Sequence, residues 1–138
     1  MEGIFWFIPF ASVLALIFAW FFFKSMMKNS EGTDRMKEIA QHVRDGAMAY
    51  LRRQYRVVSM VFVVLFLILL ALAYFGVQNP FVPVAFITGG FFSGLCGYLG
   101  MKTATYASAR TAQGASQSLN KGLKIAFRSG AVMGLVVV

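Results

Sequence analysis

The chain has 138 residues, of which 59% are hydrophobic, and its mean hydropathy is +0.69. Soluble domains are about 45–50% apolar, and here the apolar residues form long uncharged blocks, which favours a membrane protein over one soluble domain. The net charge of +8 does not indicate nucleic-acid binding, because the basic residues border the apolar blocks while the aromatic residues lie inside them. The single cysteine, Cys96, excludes an intrachain disulfide and a cysteine-based zinc cluster.

The first apolar block, Ile4–Phe23, is uncharged and has the length of about 20 residues that a helix needs to cross a bilayer. A signal peptide is the alternative interpretation. However, Glu2 precedes the block and Lys24 follows it, whereas a signal peptide begins with a positive region and has a shorter apolar core. We therefore predict a retained transmembrane helix over about 4–23, with the N-terminus outside.

The polar segment Lys24–Arg56 begins with "KNSEGT", a short loop in which Gly32 breaks the helix and Thr33 or Asp34 supplies the next N-cap. Apolar residues then recur every three or four positions, as expected for one face of a helix. These residues are Met36, Ile39, Ala40, Val43, Ala47, Tyr50 and Leu51. No turn separates them from the second apolar block, so we predict one helix over about 34–75 whose first half projects from the membrane.

The uncharged turn "GVQNPFVP" leads into a third helix, predicted over about 84–119. We expect the next break at Asn120–Gly122, followed by a fourth helix over about 123–138. Only about ten apolar residues follow Arg128, too few to cross a bilayer. The sequence therefore predicts an all-α polytopic bundle of three complete transmembrane helices and the start of a fourth, cut within an apolar run.

The charges predict the orientation of these helices. Lys24–Arg56 carries eight basic and four acidic residues, and Lys102–Arg128 carries five basic residues and no acid, whereas the turn Gly76–Pro83 is uncharged. The positive-inside rule assigns both basic segments to the cytoplasm. We expect an integral protein of the inner or plasma membrane, with its N-terminus and the uncharged turn outside.

No residue in the sequence is assigned a catalytic, cofactor-binding or metal-binding role. His42, the only histidine, lies on the polar face one helical turn after Glu38 and is interpreted as a solvated side chain rather than a pH switch or metal ligand. No carboxylate falls inside an apolar block, so an intramembrane ion path is not indicated. The sequence also lacks a phosphate-binding G-x-x-x-x-G-K-[ST] loop.

Small residues recur along the third helix at three- to four-residue spacing. They are Gly90, Gly94, Gly97, Ala104, Ala107 or Ser108, Thr111, Ala115 and Ser118, with Met101 in the same phase. Small residues let helix backbones approach closely in lipid, so we interpret the stripe as a packing face rather than a pore lining. We expect Gly94→Leu or Gly97→Leu to destabilise assembly and Leu99→Ile to leave it unchanged. Lys102 marks the end of the membrane and not of the helix.

Two segments resemble membrane-integral pyrophosphatases, the family of ion pumps driven by pyrophosphate. "MKEIAQHVRDGAMAYLRRQYR" is similar to the family segment that leads into its second helix, with Glu38, Gly46 and Tyr55 among the matching residues. "GYLGMKTATYASARTAQGASQSLNKGLKIAFRSGAVMGL" is similar to the third and fourth helices, with Arg110 and Thr111 as landmarks. Ser108 and Gly114 depart from the usual Asn and Ala, yet both remain small.

The resemblance implies that the chain is the N-terminal part of a pump with about sixteen helices, in which the first four helices belong to the outer of two helix rings. It implies a homodimer and a Mg²⁺–pyrophosphate site formed by residues outside this segment. The partners expected of the segment are therefore the lipid bilayer and the remaining helices of the same pump. The whole protein would be an inorganic diphosphatase that translocates protons or sodium, and this segment alone would have no hydrolase activity.

Two alternatives belong to other functional classes. One is a small stand-alone membrane protein that assembles through the Gly/Ala stripe, for which the gene would stop at Val138 instead of continuing into further apolar blocks. The other is a lipid-surface binder, whose vesicle binding would depend on salt and on Arg52, Arg53 and Arg56.

Overall fold

The computed structural model describes residues 6–138, and in this range the ordered elements are four helices. They are α1 (Phe7–Met27), α2 (Asp34–Tyr74), α3 (Val82–Gln117) and α4 (Leu119–Val137). Helices α1, α2 and α3 are long and apolar enough to cross a membrane. The prediction of an all-α membrane bundle with three complete spans is therefore confirmed, while the predicted start of the first helix at residue 4 lies outside the described residues.

Helix α1 continues past Phe23, where the sequence-based prediction ended it, to Met27. The added turn packs into the protein, because Met26 is fully buried. The side-chain amide of Asn29 then donates hydrogen bonds to the carbonyls of Ser25 (3.2 Å) and Met26 (3.0 Å). These bonds satisfy carbonyls that every helix C-terminus leaves without an intrahelical partner.

The loop between α1 and α2 has the breaker and the cap that the sequence predicts. Gly32 adopts φ +94°, a left-handed conformation that favours glycine. Thr33 Oγ1 accepts a hydrogen bond from the backbone N–H of Met36 at 3.3 Å, as an N-cap does. The loop is therefore short and fixed at both ends.

The break between α3 and α4 lies at Ser118, so the predicted break at Asn120–Gly122 is wrong. Ser118 is extended, with φ −165° and ψ 146°, and its hydroxyl accepts a hydrogen bond from the backbone N–H of Lys121 at 3.2 Å. Gly122 is helical, and a Cβ there would lie 2.9 Å from the Cα of Ala115. Glycine at this position thus serves the close approach of two helices and not the turn itself.

The described chain divides into two compact units. One combines residues 6–47 with 99–138, and the other is Met48–Tyr98. The core of the first unit is formed by buried residues of three helices, Met26, Ala107 and Ile125. Phe23, Met27 and Tyr106 pack against that core.

The second unit is a helical hairpin made by the apolar part of α2 and the first part of α3. The rings of Phe62 and Phe86 stack with their centroids 4.3 Å apart. The Tyr55 hydroxyl donates a hydrogen bond to the Gly94 carbonyl. At the turn, Gly76 adopts φ +72° and the Gln78 amide donates to the Leu69 carbonyl at 2.7 Å. The turn therefore closes with its own hydrogen bonds.

The apolar stripe predicted on the first half of α2 is only partly covered. Ala40 is buried, whereas Ile39, Val43 and Tyr50 are 54%, 46% and 60% exposed. Leu51 is buried, and Met36 and Ala47 are half-buried. The helical periodicity identified the element correctly but did not distinguish side chains that pack within this chain from those that do not.

Candidate functional site

The loop between α1 and α2 carries a carboxylate that joins two helices. Glu31 Oε1 accepts hydrogen bonds at 2.7 Å from Nη1 of Arg44, on α2, and at 2.7 Å from Nη1 of Arg110, on α3. The exposed fractions of these side chains are only 16%, 14% and 9%, respectively. We call Glu31, Arg44, Arg110 and Tyr106 the Glu31 junction.

Arg110 also binds the backbone on both sides of the junction. Its Nε donates to the carbonyl of Asn29 at 3.0 Å, and its Nη1 donates to the carbonyl of Tyr106 at 2.6 Å. Arg110 thus ties α3 to the loop that follows α1. The sequence marked Arg110 as a family landmark on a helix extension, and the structure shows that its side chain is buried there.

Tyr106 lies beside both guanidinium groups. The Arg44 Cζ is 4.9 Å from the centre of the Tyr106 ring, and the Arg110 Cζ is 5.9 Å from it. The electron-rich face of an aromatic ring attracts cations at such distances. The ring therefore helps one carboxylate to hold two like charges in a small volume.

Glu31 stays ionised at neutral pH. The hydrogen bond from Arg44 lowers the pKa of Glu31 below its ordinary value, burial opposes this shift, and the charges of Arg110 and Arg44 lower the pKa further. A carboxylate held in this way is a poor proton donor or acceptor near pH 7. The chemistry of the junction is therefore that of a buried structural cross-link.

Sequence reasoning missed Glu31 and Arg44. The available signal was phase: Arg44 lies four residues after Ala40 and three before Ala47, on the stripe that packs inward. A basic residue in that phase needs a partner, and the acid nearest to it outside its own helix is Glu31 in the preceding loop. Spacing along α2 alone cannot reveal this partner.

The small-residue stripe of α3 packs on α2 within the hairpin unit. A Cβ at Gly90 would lie 2.2 Å from the Phe62 ring, and a Cβ at Gly97 would lie 2.9 Å from the Tyr55 hydroxyl oxygen. Gly94 differs, because a Cβ there meets nothing within 4 Å among the described residues, and it contributes its carbonyl instead. The expected sensitivity of Gly94 to a larger side chain thus has no steric basis within the described chain.

We predict that Gly90→Ala destabilises the hairpin by about 1–3 kcal/mol, the usual cost of overpacking a filled contact. The Phe62 ring cannot easily move away, since it is stacked on Phe86. Gly89→Ala is the matched control because a Cβ at Gly89 meets nothing within 4 Å. Thermal unfolding in detergent measures both, and equal melting temperatures for the two variants would refute this contact.

His42 lies exposed on α2. Glu38, its expected neighbour, accepts a hydrogen bond from Arg35 at 3.0 Å instead. Its exposure agrees with the interpretation of His42 as a surface side chain, while its lack of a functional role stays a prediction.

The Mg²⁺ implied by the resemblance has no ligand set among residues 6–138, where no three His, Cys, Asp or Glu side chains cluster. The carboxylates of this range already have protein partners. Glu31 binds Arg44 and Arg110, Asp34 binds Lys37, Glu38 binds Arg35, and Asp45 accepts from the Gln41 amide. These residues of the described range do not fit a divalent-cation site.

Known proteins resemble this chain over most of its length. The profile of the family described as inorganic H⁺ pyrophosphatase matches residues 13–138. A candidate K⁺-stimulated pyrophosphate-energised sodium pump from Bacteroides thetaiotaomicron is 65% identical over 98% of this chain and 18% of that protein. A K⁺-insensitive pyrophosphate-energised proton pump from Methanosarcina mazei is 42% identical over 100% of this chain and 20% of that protein.

A third relative is a K⁺-stimulated pyrophosphate-energised sodium pump from Thermotoga maritima, 35% identical over 99% of this chain and 18% of that protein. The chain thus spans about a fifth of the length of these relatives. The profile match includes α2, α3 and α4 entirely, and it also includes the loop that carries Glu31. Glu31, Arg44 and Arg110 therefore all lie within the matched region. This chain is an integral membrane protein that belongs to the inorganic H⁺ pyrophosphatase family.

Proposed function

We propose that this chain is the N-terminal, outer-ring scaffold of a membrane pump that couples pyrophosphate hydrolysis to the transport of protons or sodium. The observation that carries this proposal is the Glu31 junction, in which the buried charges are neutralised by one another and by backbone groups. Groups that neutralise one another in this way are typical of a structural ion-pair network, which perturbs pKa values without being a reaction centre. The names of the relatives supply the reaction.

In the proposed orientation, the N-terminus and the turn between α2 and α3 lie outside, and the Glu31 junction lies at the cytoplasmic surface. The support is the charge distribution, since basic residues flank the ends of the spans on one side only. The first half of α2 and the last half of α3 then project into the cytoplasm. This arrangement keeps Glu31, Arg44 and Arg110 out of the hydrocarbon, where charges are costly.

The whole protein, in this proposal, is a homodimer whose Mg²⁺ and pyrophosphate bind to residues outside residues 6–138. The partners of the present segment are then lipid and the later helices of the same pump. Many large side chains of the spans are exposed, including Leu67, Ile68 and Phe91, and these would contact such partners. The segment itself contributes packing surface.

The proposal predicts that the complete pump, reconstituted in vesicles, takes up protons or sodium when Mg²⁺ and pyrophosphate are added. The 138-residue segment, inserted in the same vesicles, is expected to release no phosphate above a protein-free control. Phosphate release and ion uptake are both measured. Mg²⁺-dependent pyrophosphate hydrolysis by the segment alone, or no coupled uptake by the complete protein, would contradict the proposal.

A further inference from the structure

A polar cavity of about 150 Å³ lies in the first unit, beside the end of α1. Its walls come from the loop after α1, from the cytosolic end of α3 and from the first turns of α4. The cationic side chains in its lining are Lys28, Arg110 and Lys121. Since a water molecule occupies about 30 Å³ of liquid, the cavity has room for a small polyatomic ion.

Arg110 lines this cavity, and hydrogen bonds fix its guanidinium. Its Nε and Nη1 are held by Asn29, Tyr106 and Glu31, and these bonds set the plane of the guanidinium. Its Nη2 has no hydrogen-bond partner within residues 6–138, and no buried side-chain nitrogen in that range is unsatisfied. Nη2 is therefore not fully buried and retains its donor hydrogens, as an anion-binding arginine requires.

The electrostatics of the cavity favour an anion. No lining residue in the described range is a carboxylate, whereas three are cationic, and the neighbouring Glu31 is already shared by two arginines. Lys121 lies in the first turn of α4, where the helix dipole is positive. Lys28 and Lys121 are exposed and can adjust their positions to a ligand at little cost in packing.

The position of the cavity favours a ligand found at a membrane surface. Lys28 is the first residue after the apolar helix α1. Arg128, two helical turns after Lys121 on α4, donates a hydrogen bond to Ser25 Oγ at 2.8 Å near the same end of α1. Basic side chains at this depth meet the phosphates of lipid headgroups as well as dissolved phosphate.

We propose that this cavity binds a phosphate group, with Arg110 Nη2 as the fixed donor and Lys28 and Lys121 as adjustable cations. The source of the phosphate group is either an anionic lipid headgroup or a free inorganic phosphate. The site is separate from pyrophosphate turnover and does not depend on the proposed catalytic function. Arginine and lysine are the side chains that proteins commonly use to bind phosphate oxygens.

The test compares the double variant Lys28→Gln/Lys121→Gln with the control Lys24→Gln/Lys124→Gln, which removes the same charge near the end of α1 and from α4. Lys24 and Lys124 do not line the cavity. Binding is measured on the complete purified membrane protein. The affinity for inorganic phosphate is measured from the shift in melting temperature, with chloride at equal ionic strength as the control. The affinity for lipid is measured by native mass spectrometry, which compares the number of phosphatidylglycerol molecules retained with the number of phosphatidylcholine molecules.

We expect the cavity variant to lose affinity for one of the two probes by about fivefold per lysine, near 25-fold for the pair. The control should bind like the wild type, and any phosphate bound at a catalytic site is common to all three proteins. A loss confined to phosphate identifies a free-anion site, and a loss confined to phosphatidylglycerol identifies a headgroup site. Equal binding by the cavity variant and the control, for both probes, would overturn the proposal.

Discussion

Glu31→Gln is expected to destabilise the folded protein by about 3 kcal/mol. The glutamine amide can still accept a hydrogen bond, but the substitution removes the only negative charge between Arg44 and Arg110 within the described chain. Two guanidinium groups then remain beside the ring of Tyr106 without a counter-charge. Removing one partner of a buried ion pair usually costs about 3–5 kcal/mol. The lower end applies here because the three side chains retain some solvent contact. Unfolding of the purified protein in detergent, followed by tryptophan fluorescence, measures this change.

Glu38→Gln is the control for this prediction. Glu38 pairs with Arg35 at 3.0 Å on an exposed surface, and such pairs contribute about 0.2–1 kcal/mol.

The pH dependence of the free energy of unfolding gives an independent readout of the Glu31 junction. Because the pKa of Glu31 is lowered from 4.5 in the folded protein, its contribution is present above pH 4.5 and is lost as the pH falls through the folded-state pKa. Equal stability of the two variants at pH 7 would show that the Glu31 junction is not a stabilising cross-link.

Gly122→Ala is expected to destabilise the corner between α3 and α4 by about 1–3 kcal/mol. The new methyl group would lie 2.9 Å from both the Cα and the backbone N of Ala115, and backbone atoms cannot move aside as a flexible side chain does. The same corner brings Ile125 into the core with Met26 and Ala107. Separation of the two helices would therefore also expose core residues.

Gly130→Ala is the matched control on the same helix. A Cβ at Gly130 meets nothing within 4 Å, so this substitution should be neutral or should stabilise α4 by up to about 1 kcal/mol through its higher helix propensity. Thermal unfolding of both variants in one detergent checks the difference. If Gly122→Ala were as stable as Gly130→Ala, the close contact between α3 and α4 would be absent.

The sequence predicted the helices well because their signals are local. Long uncharged blocks, Gly32 with Thr33, and the unbroken run through "LRRQYR" each depend on neighbouring residues only. The error at Asn120–Gly122 has a physical cause, since both turns and close helix contacts select glycine. Ser118 was the better signal for the start of α4, because a serine hydroxyl can accept a hydrogen bond from the backbone N–H three residues later, here that of Lys121.

The Glu31 junction could not be derived from the sequence in the same way. Glu31 and Arg110 are 79 positions apart, and nothing local to either indicates the other. The resemblance marked Arg110 without giving it a role. Its role depends on the packing of Met26, Ala107 and Ile125, which brings the end of α1 against α3 and α4. Tertiary packing thus determines which carboxylate becomes the partner of Arg110.

We propose that this segment supports a pump without taking part in its chemistry. The most direct test measures thermal stability together with kcat and KM for Mg²⁺–pyrophosphate in the complete pump carrying Glu31→Gln, assayed at a temperature where the variant stays folded. We predict a lower melting temperature for the variant, with kcat and KM within about twofold of the wild type. An unchanged melting temperature with KM raised or kcat lowered tenfold or more would contradict it, because Glu31 would then act on the reaction itself.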